Sequence, residues 1–300
     1  GLNTIAPTWF SLADTEGNIT SLADSDYVNY AHQSGLEVWA VLRDFHGGIS
    51  SYDETYEVLS HTSRRTQVIN QVIADAIQYD IDGINLDFEL ISAECGEHYI
   101  QFVRELSVRC RQNGLVFSVD NYVPQPYNAH YDIEEQGQVA DYVVIMGYDE
   151  HTDGSYEAGS VASIGYLENG ISDALESVSA DKLIAGVPFF TRLWFETPKT
   201  EEELAAEAGT EAASYPDKVT SQAYGMSEAA EVVSNAGVQA EWDESTKQNY
   251  AQWEADGGTY RIWLEDLQSL EEKLKVIREN NLAGVAEWSL GMEESGVWDL

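Results

Sequence analysis

The chain has 300 residues, 43% of them hydrophobic, enough for a sizeable core in one large α/β barrel or in two ordinary domains. Fifteen Lys and Arg against 53 Asp and Glu leave a formal net charge of −38, a surface that repels phosphate backbones and anionic lipid. Nucleic acid and bare membrane are therefore poor partners, and no stretch approaches the ~20 apolar residues of a membrane span.

In chain order, strand-length apolar runs fall at Asn3–Leu12, Glu37–Asp44, Gly83–Phe88, Leu115–Asn121, Tyr142–Met146, Leu183–Val187 and Gly284–Ser289. Several are nearly continuous, such as Val143-Val144-Ile145-Met146, which suits parallel strands covered on both faces. Helix-period stripes lie between them: Val68, Ile69, Val72, Ile73, Ala76 and Ile77 within Arg64–Tyr79, and Leu267, Leu270, Leu274 and Ile277 within Leu267–Asn280. Alternating β and α over this length predicts a parallel α/β fold, a TIM (β/α)8-type barrel ahead of an open sheet. The rhythm breaks between about Thr191 and Trp263. An acidic, Ala-rich run at 201–207 is followed by a helix near Met226–Asn235 and by strand-like pieces at Gln239–Trp242 and Thr259–Trp263. We read residues 195–262 as a small α+β insertion before the last strand, within a single catalytic domain spanning 1–300. Cys95 and Cys110 bracket a predicted helix that would hold them about 22 Å apart, so both are expected to be free thiols. No basic region followed by an apolar core marks a signal peptide.

The chemistry concentrates in Asp82-Gly83-Ile84-Asn85-Leu86-Asp87-Phe88-Glu89. Alternate residues of a strand share a face, so Ile84, Leu86 and Phe88 would turn to the helices and Asn85, Asp87 and Glu89 into the barrel. Polar groups there are costly unless hydrogen-bonded or functional, and barrel enzymes place their catalysts at the C-terminal ends of strands. A strand that merely ends in solvated acids is the plainer alternative. The six histidines show no ligand spacing, so no metal and no cofactor are expected, and Asp82 is expected to anchor the strand start. A cation site on Asp82, Asp87 and Glu89 is disfavoured, because strand alternation scatters these groups. Eight Trp and 17 Tyr are many for one domain, and aromatic faces stack well on sugar rings.

This segment resembles the Asp-Gly-x-Asp-x-Asp-x-Glu signature of family 18 glycoside hydrolases, with Asn85 in place of one Asp. Met146-Gly147-Tyr148-Asp149, Gly186-Val187-Pro188-Phe189-Phe190 and Ala286-Glu287-Trp288-Ser289-Leu290 are similar to the family's sixth-, seventh- and eighth-strand motifs. With Tyr148-Asp149-Glu150-His151 and Thr191-Arg192-Leu193-Trp194, the chain looks most like the spore-cortex and cell-wall N-acetylglucosaminidase branch. The resemblance implies hydrolysis of a β-linked N-acetylglucosamine glycan, peptidoglycan ahead of chitin, outside the cell or at the cell wall, by a monomer without cofactors. Glu89 would be the general acid and base. Asp87 would hold the substrate's acetamido N–H, Tyr148 its carbonyl, and Asn85 would donate its amide to Asp87. In this family the acetamido oxygen itself attacks the anomeric carbon. Trp288 would floor the site, and Trp9, Asn121, Asp149 and Arg192 follow or end strands and are candidates to line the cleft. A core tyrosine at Tyr148 and a packing role for Trp288 are the plainer alternatives and rank behind the functional reading, whereas for Trp9, Asn121, Asp149 and Arg192 the two readings are balanced. The seven strands correspond to the family's second to eighth, which would put the first upstream of Gly1. A non-catalytic cell-wall glycan-binding barrel is the rival reading, disfavoured by the presence of Glu89.

Overall fold

The computed structural model describes residues 1–300. The chain forms two compact units: residues 1–145 with 173–184, and residues 146–172 with 185–300.

The first unit contains β1 (Thr4–Ile5), β2 (Phe10–Leu12), β3 (Ile19–Ser21), α1 (Ser25–Gln33), β4 (Glu37–Arg43), α2 (Tyr52–Leu59), α3 (Thr62–Gln78), β5 (Gly83–Asp87), α4 (Gly96–Gln112), β6 (Val116–Tyr122), α5 (Ile133–Val139) and β7 (Tyr142–Met146). Its strands lie in the order β3-β2-β4-β5-β6-β7, with β1 also paired to β4. β4 pairs in parallel with β1, β2 and β5, and β5 with β6, whereas the β2–β3 hairpin is antiparallel. The run Asn3–Leu12, expected as one strand, is two short ones. Pro7 has no N–H to give a ladder, and its carbonyl instead accepts from Trp9 and Val41.

Packing of β5 follows its alternation. Ile84, Leu86 and Phe88 are buried in the core with Tyr99, Phe102, Val103 and Leu106 of α4, and the rings of Phe88 and Phe102 stack at 5.5 Å. Each such burial contributes roughly 1.5–3 kcal/mol. Gly83 starts the strand where a Cβ would come within 2.8 Å of the Trp39 indole and 3.0 Å of the Val116 carbonyl. Asp82 Oδ2 accepts from the Val38 N–H and pairs with His32 Nε2, both at 2.8 Å, and so fixes the strand's entry. Cys95 and Cys110 are free and buried, as the spacing predicts, and burial pushes both thiols up to about 12.

The second unit contains most of α6 (Ile164–Leu175) and of β8 (Leu183–Pro188), whose residues between 173 and 184 are counted with the first, then β9 (Phe190–Pro198), α7 (Glu201–Ala206), β10 (Asp217–Gly225), α8 (Met226–Asn235), β11 (Glu241–Asp243), β12 (Gln248–Ala255), β13 (Gly258–Leu264), α9 (Leu267–Glu279) and β14 (Gly284–Trp288). β8 lies beside β14. A five-stranded antiparallel sheet, β10-β9-β13-β12-β11, carries its own core of Ala229, Val233, Ala251, Ile262 and Leu264 under α8. The acidic run is a short helix closed by a Thr200–Glu203 capping box. No helix of the chain is long and apolar enough to cross a membrane.

Candidate active site

Past the end of β5 the chain is held by Asp44, which follows β4. Asp44 is fully buried; its Oδ1 accepts the Glu89 N–H at 2.9 Å and its Oδ2 the Leu90 N–H at 2.8 Å, with the Thr55 hydroxyl donating at 3.3 Å. Burial pushes the Asp44 carboxyl up to about 6 against the pull of these bonds. Tyr131 donates to the Phe88 carbonyl at 3.1 Å, which adds a second backbone tie beside Glu89.

On the polar face of β5, Asn85, Asp87 and Glu89 meet Ser118, Asp120 and Tyr122 of β6. The parallel register pairs Asn85 with Ser118 and Leu86 with Val119. Asn85 Nδ2 donates to Ser118 Oγ at 2.9 Å and to Asp120 Oδ1 at 2.8 Å. Tyr122 donates its hydroxyl to Glu89 Oε2 at 2.6 Å. The expectation that Asn85 donates to Asp87 is therefore corrected. Residues two apart on one strand lie about 7 Å from each other, whereas the neighbouring strand is about 4.8 Å away, so the amide bonds across the sheet. Asp87 Oδ1 is buried and has no hydrogen-bond partner. Burial, then the charges of Asp120, Glu89 and Asp44, hold the Asp87 carboxyl well above the usual carboxylate range, with Arg43 opposing. Asp120 is pushed up to about 7, by burial first and by Glu89, against its bond from Asn85.

Two proposed cleft residues do not join this face. Asn121 points the other way, buried, in a reciprocal amide pair with Gln136 of α5 at 2.7 and 2.9 Å. Strand alternation puts it opposite Asp120 and Tyr122. Trp9 is buried in the core and meets Tyr27 of α1 edge to face at 5.1 Å. Asp82 is engaged by His32 and Val38, so the three acids of the signature do not converge on one cation.

In the second unit, Tyr148 packs edge to face on Phe190 at 6.1 Å, and Asp149 has a left-handed backbone with φ of 59°. Arg192 of β9 donates to Ser221 Oγ at 3.0 Å, while its buried Nε has no partner. Trp288 ends β14 and is 45% exposed. Asp44, Asp120 and Tyr122 escaped the reading of the sequence. The available signal was alternation: Ser118, Asp120 and Tyr122 repeat at the same two-residue step as Asn85, Asp87 and Glu89.

Residues 29–293 match the family described as Glycosyl hydrolases family 18. The chain is 23% identical over 309 residues to the uncharacterized glycosylase YvbX of Bacillus subtilis (strain 168), covering 99% of this chain and 83% of that protein. It is 25% identical over 253 residues to the cortical fragment-lytic enzyme of the same organism, covering 80% of this chain and 54% of that protein. The spore cortex-lytic enzyme SleL of Bacillus megaterium QM B1551 superimposes with a TM-score of 0.81 at 20% identity, over 99% of this chain and 66% of that one. The chain thus spans little more than half to two thirds of those two lytic enzymes. The match to the family covers most of the chain, and it includes both the carboxylate face and the β14 tryptophan: the chain belongs to glycosyl hydrolase family 18 and is a glycoside hydrolase with the α/β, TIM-barrel-type fold of that family.

Proposed function

We propose that the protein cleaves β-linked N-acetylglucosamine-containing glycan, peptidoglycan in preference to chitin, with retention of configuration and with the substrate's own acetamido oxygen as nucleophile. The observation that carries this reading is the Asn85–Asp87–Glu89 face, where Glu89 is tied by Tyr122 and by the Asp44 hold on its N–H, and where Asp87 Oδ1 is buried without a donor.

Glu89 protonates the leaving oxygen and then, as carboxylate, takes a proton from the water that resolves the intermediate. Asp87 accepts the acetamido N–H, which turns the acetamido carbonyl oxygen toward the anomeric carbon and disperses the charge that develops on the amide. Tyr148 donates to that carbonyl oxygen, Trp288 stacks beneath the sugar, and Asp149 and Arg192 contact flanking groups. The preference for peptidoglycan, and with it action at the cell wall or outside the cell, rests on the likeness to a cortical fragment-lytic enzyme and to SleL.

The mechanism requires an acetyl group on the sugar next to Glu89. Initial rates on acetylated and de-N-acetylated forms of one glycan test it, with intact-mass analysis under turnover. The acetylated form is cleaved, the deacetylated form is not, and no covalent adduct accumulates. Comparable cleavage of the deacetylated sugar, or a glycosyl adduct on Asp87, would show that an enzyme carboxylate attacks.

A further inference from the structure

Three rungs stand one above another between β5 and β6. The lower is closed by Asn85 donating to Ser118, the upper by Tyr122 donating to Glu89. The register Asn85↔Ser118 and Leu86↔Val119, carried one residue on, sets Asp87 opposite Asp120 in the middle rung. Neighbouring strands are about 4.8 Å apart, so two carboxyl groups face each other between two closed hydrogen-bonded rungs. Asn85 Nδ2 occupies Asp120 Oδ1, and Asp87 Oδ1 is buried with nothing donating to it.

We propose that Asp87 and Asp120 form an acid pair that shares one proton, Asp120 being a positioning residue that supplies from the neighbouring strand the carboxyl that position 85 lacks. Two facing carboxylates in a half-buried layer disfavour joint ionisation. The groups around the pair make the proton's retention more favourable still: Glu89 and Asp44 add negative charge, Arg43 is the cation acting on Asp87, and Arg43 Nε is itself bonded to Ser11 Oγ at 3.1 Å. The phenol of Tyr99 on α4 is buried within the field of Asp44, Asp87 and Asp120 and stays neutral. Burial first, and then the charge of Glu89, push the Asp120 carboxyl up to about 7 against its bond from Asn85.

The pair's role in catalysis rests on the reading given under Proposed function; its shared proton does not. With the proton on Asp120, Asp87 presents a full carboxylate to the acetamido N–H. When no substrate is bound, the proton moves back toward Asp87 and satisfies its buried oxygen. One proton changes place and no other reactant is involved.

The test is a carboxyl-carbon NMR titration of the full chain labelled at Asp, for wild type, Asp120→Asn and the swapped pair Asn85→Asp with Asp120→Asn. Wild type shows two coupled steps on both signals, the upper near neutral. Asp120→Asn loses the upper step and moves the Asp87 step down, and the swap restores an upper step. Independent single-step curves in wild type, which need no variant to fold, would overturn the pair. So would an unaltered Asp87 curve in Asp120→Asn. In parallel, the pH profile of kcat on acetylated peptidoglycan loses its near-neutral limb in Asp120→Asn and regains it in the swap. An unchanged profile would remove Asp120 from the reaction. If wild type cleaves no acetylated glycan, the glycosidase reading fails while the titration still decides the pair.

Discussion

Asn85→Asp places a third carboxyl in the layer of Asp87 and Asp120, and its effect should depend on pH. The amide it replaces is 6% exposed and donates to Ser118 Oγ at 2.9 Å and Asp120 Oδ1 at 2.8 Å. An ionised Asp at this position can only accept, so the bond to Asp120 becomes a repulsion. At about 5 Å and an effective dielectric of about 20, one such pair costs about 3 kcal/mol, equivalent to roughly two pKa units on the new group. A carboxyl whose folded pKa is raised contributes stability that is fully present below its unfolded value near 4 and lost as pH rises through its folded value, here about 6. At pH 5, midway between those values, about half of that loss should already have accrued, about 1.4 kcal/mol. At pH 8 the variant should be about 3 kcal/mol less stable, a fall of several degrees in Tm. Thermal unfolding followed by circular dichroism at both pH values measures this, and the acidic limb of the pH–rate profile should move upward with it. A stability difference that is the same at pH 5 and pH 8 would show that position 85 does not face the acid pair.

Other perturbations separate the scaffold from the chemistry. Asp44→Asn keeps one acceptor but turns an amide toward the N–H of Glu89 or Leu90; leaving one buried donor unpaired costs about 1–3 kcal/mol, and displacement of Glu89 by about 1 Å lowers kcat by about 10²-fold. Paired unfolding and rate measurements check it, and an unchanged rate would mean that Asp44 does not position Glu89. Lys273→Met should cost about 3–5 kcal/mol in urea unfolding, because it leaves a buried charge uncompensated: Lys273 Nζ holds both oxygens of Glu265 at 2.9 and 3.2 Å and both side chains are 1% exposed. A loss under 1 kcal/mol would show that Glu265 is already neutral.

The parallel part of the fold was legible because its strands are continuous apolar runs between stripes of helical period. Met226–Asn235 was read with its observed bounds for the same reason. The strands β9, β10 and β12 were missed. Along Asp217–Gly225 exposed and half-buried residues alternate with few apolar ones, since one face of that sheet is covered by α8 and the rest depends on partners remote in sequence. At the site, the inward turn of Asn85, Asp87 and Glu89 followed from strand alternation alone. What they bond to did not, because cross-strand register decides that Asn85 meets Asp120 and not Asp87. Asn121 was misplaced by the same step of one residue: it neighbours Asp120 in sequence and lies on the opposite face.

Reducing-end release from acetylated peptidoglycan by wild type and by Glu89→Gln, with binding to the same material measured in parallel, tests the central claim most directly. Gln keeps an oxygen to accept the Tyr122 hydroxyl, which holds Glu89 at 2.6 Å, so the fold and glycan binding should persist. Turnover should fall by at least ~10²–10⁴-fold, the range contributed by general acid catalysis. Equal binding with cleavage by wild type alone is the predicted result. Cleavage by Glu89→Gln at a near wild-type rate would contradict the assignment of the acid, and binding without cleavage by either protein would mean a barrel that grips glycan and does not hydrolyse it.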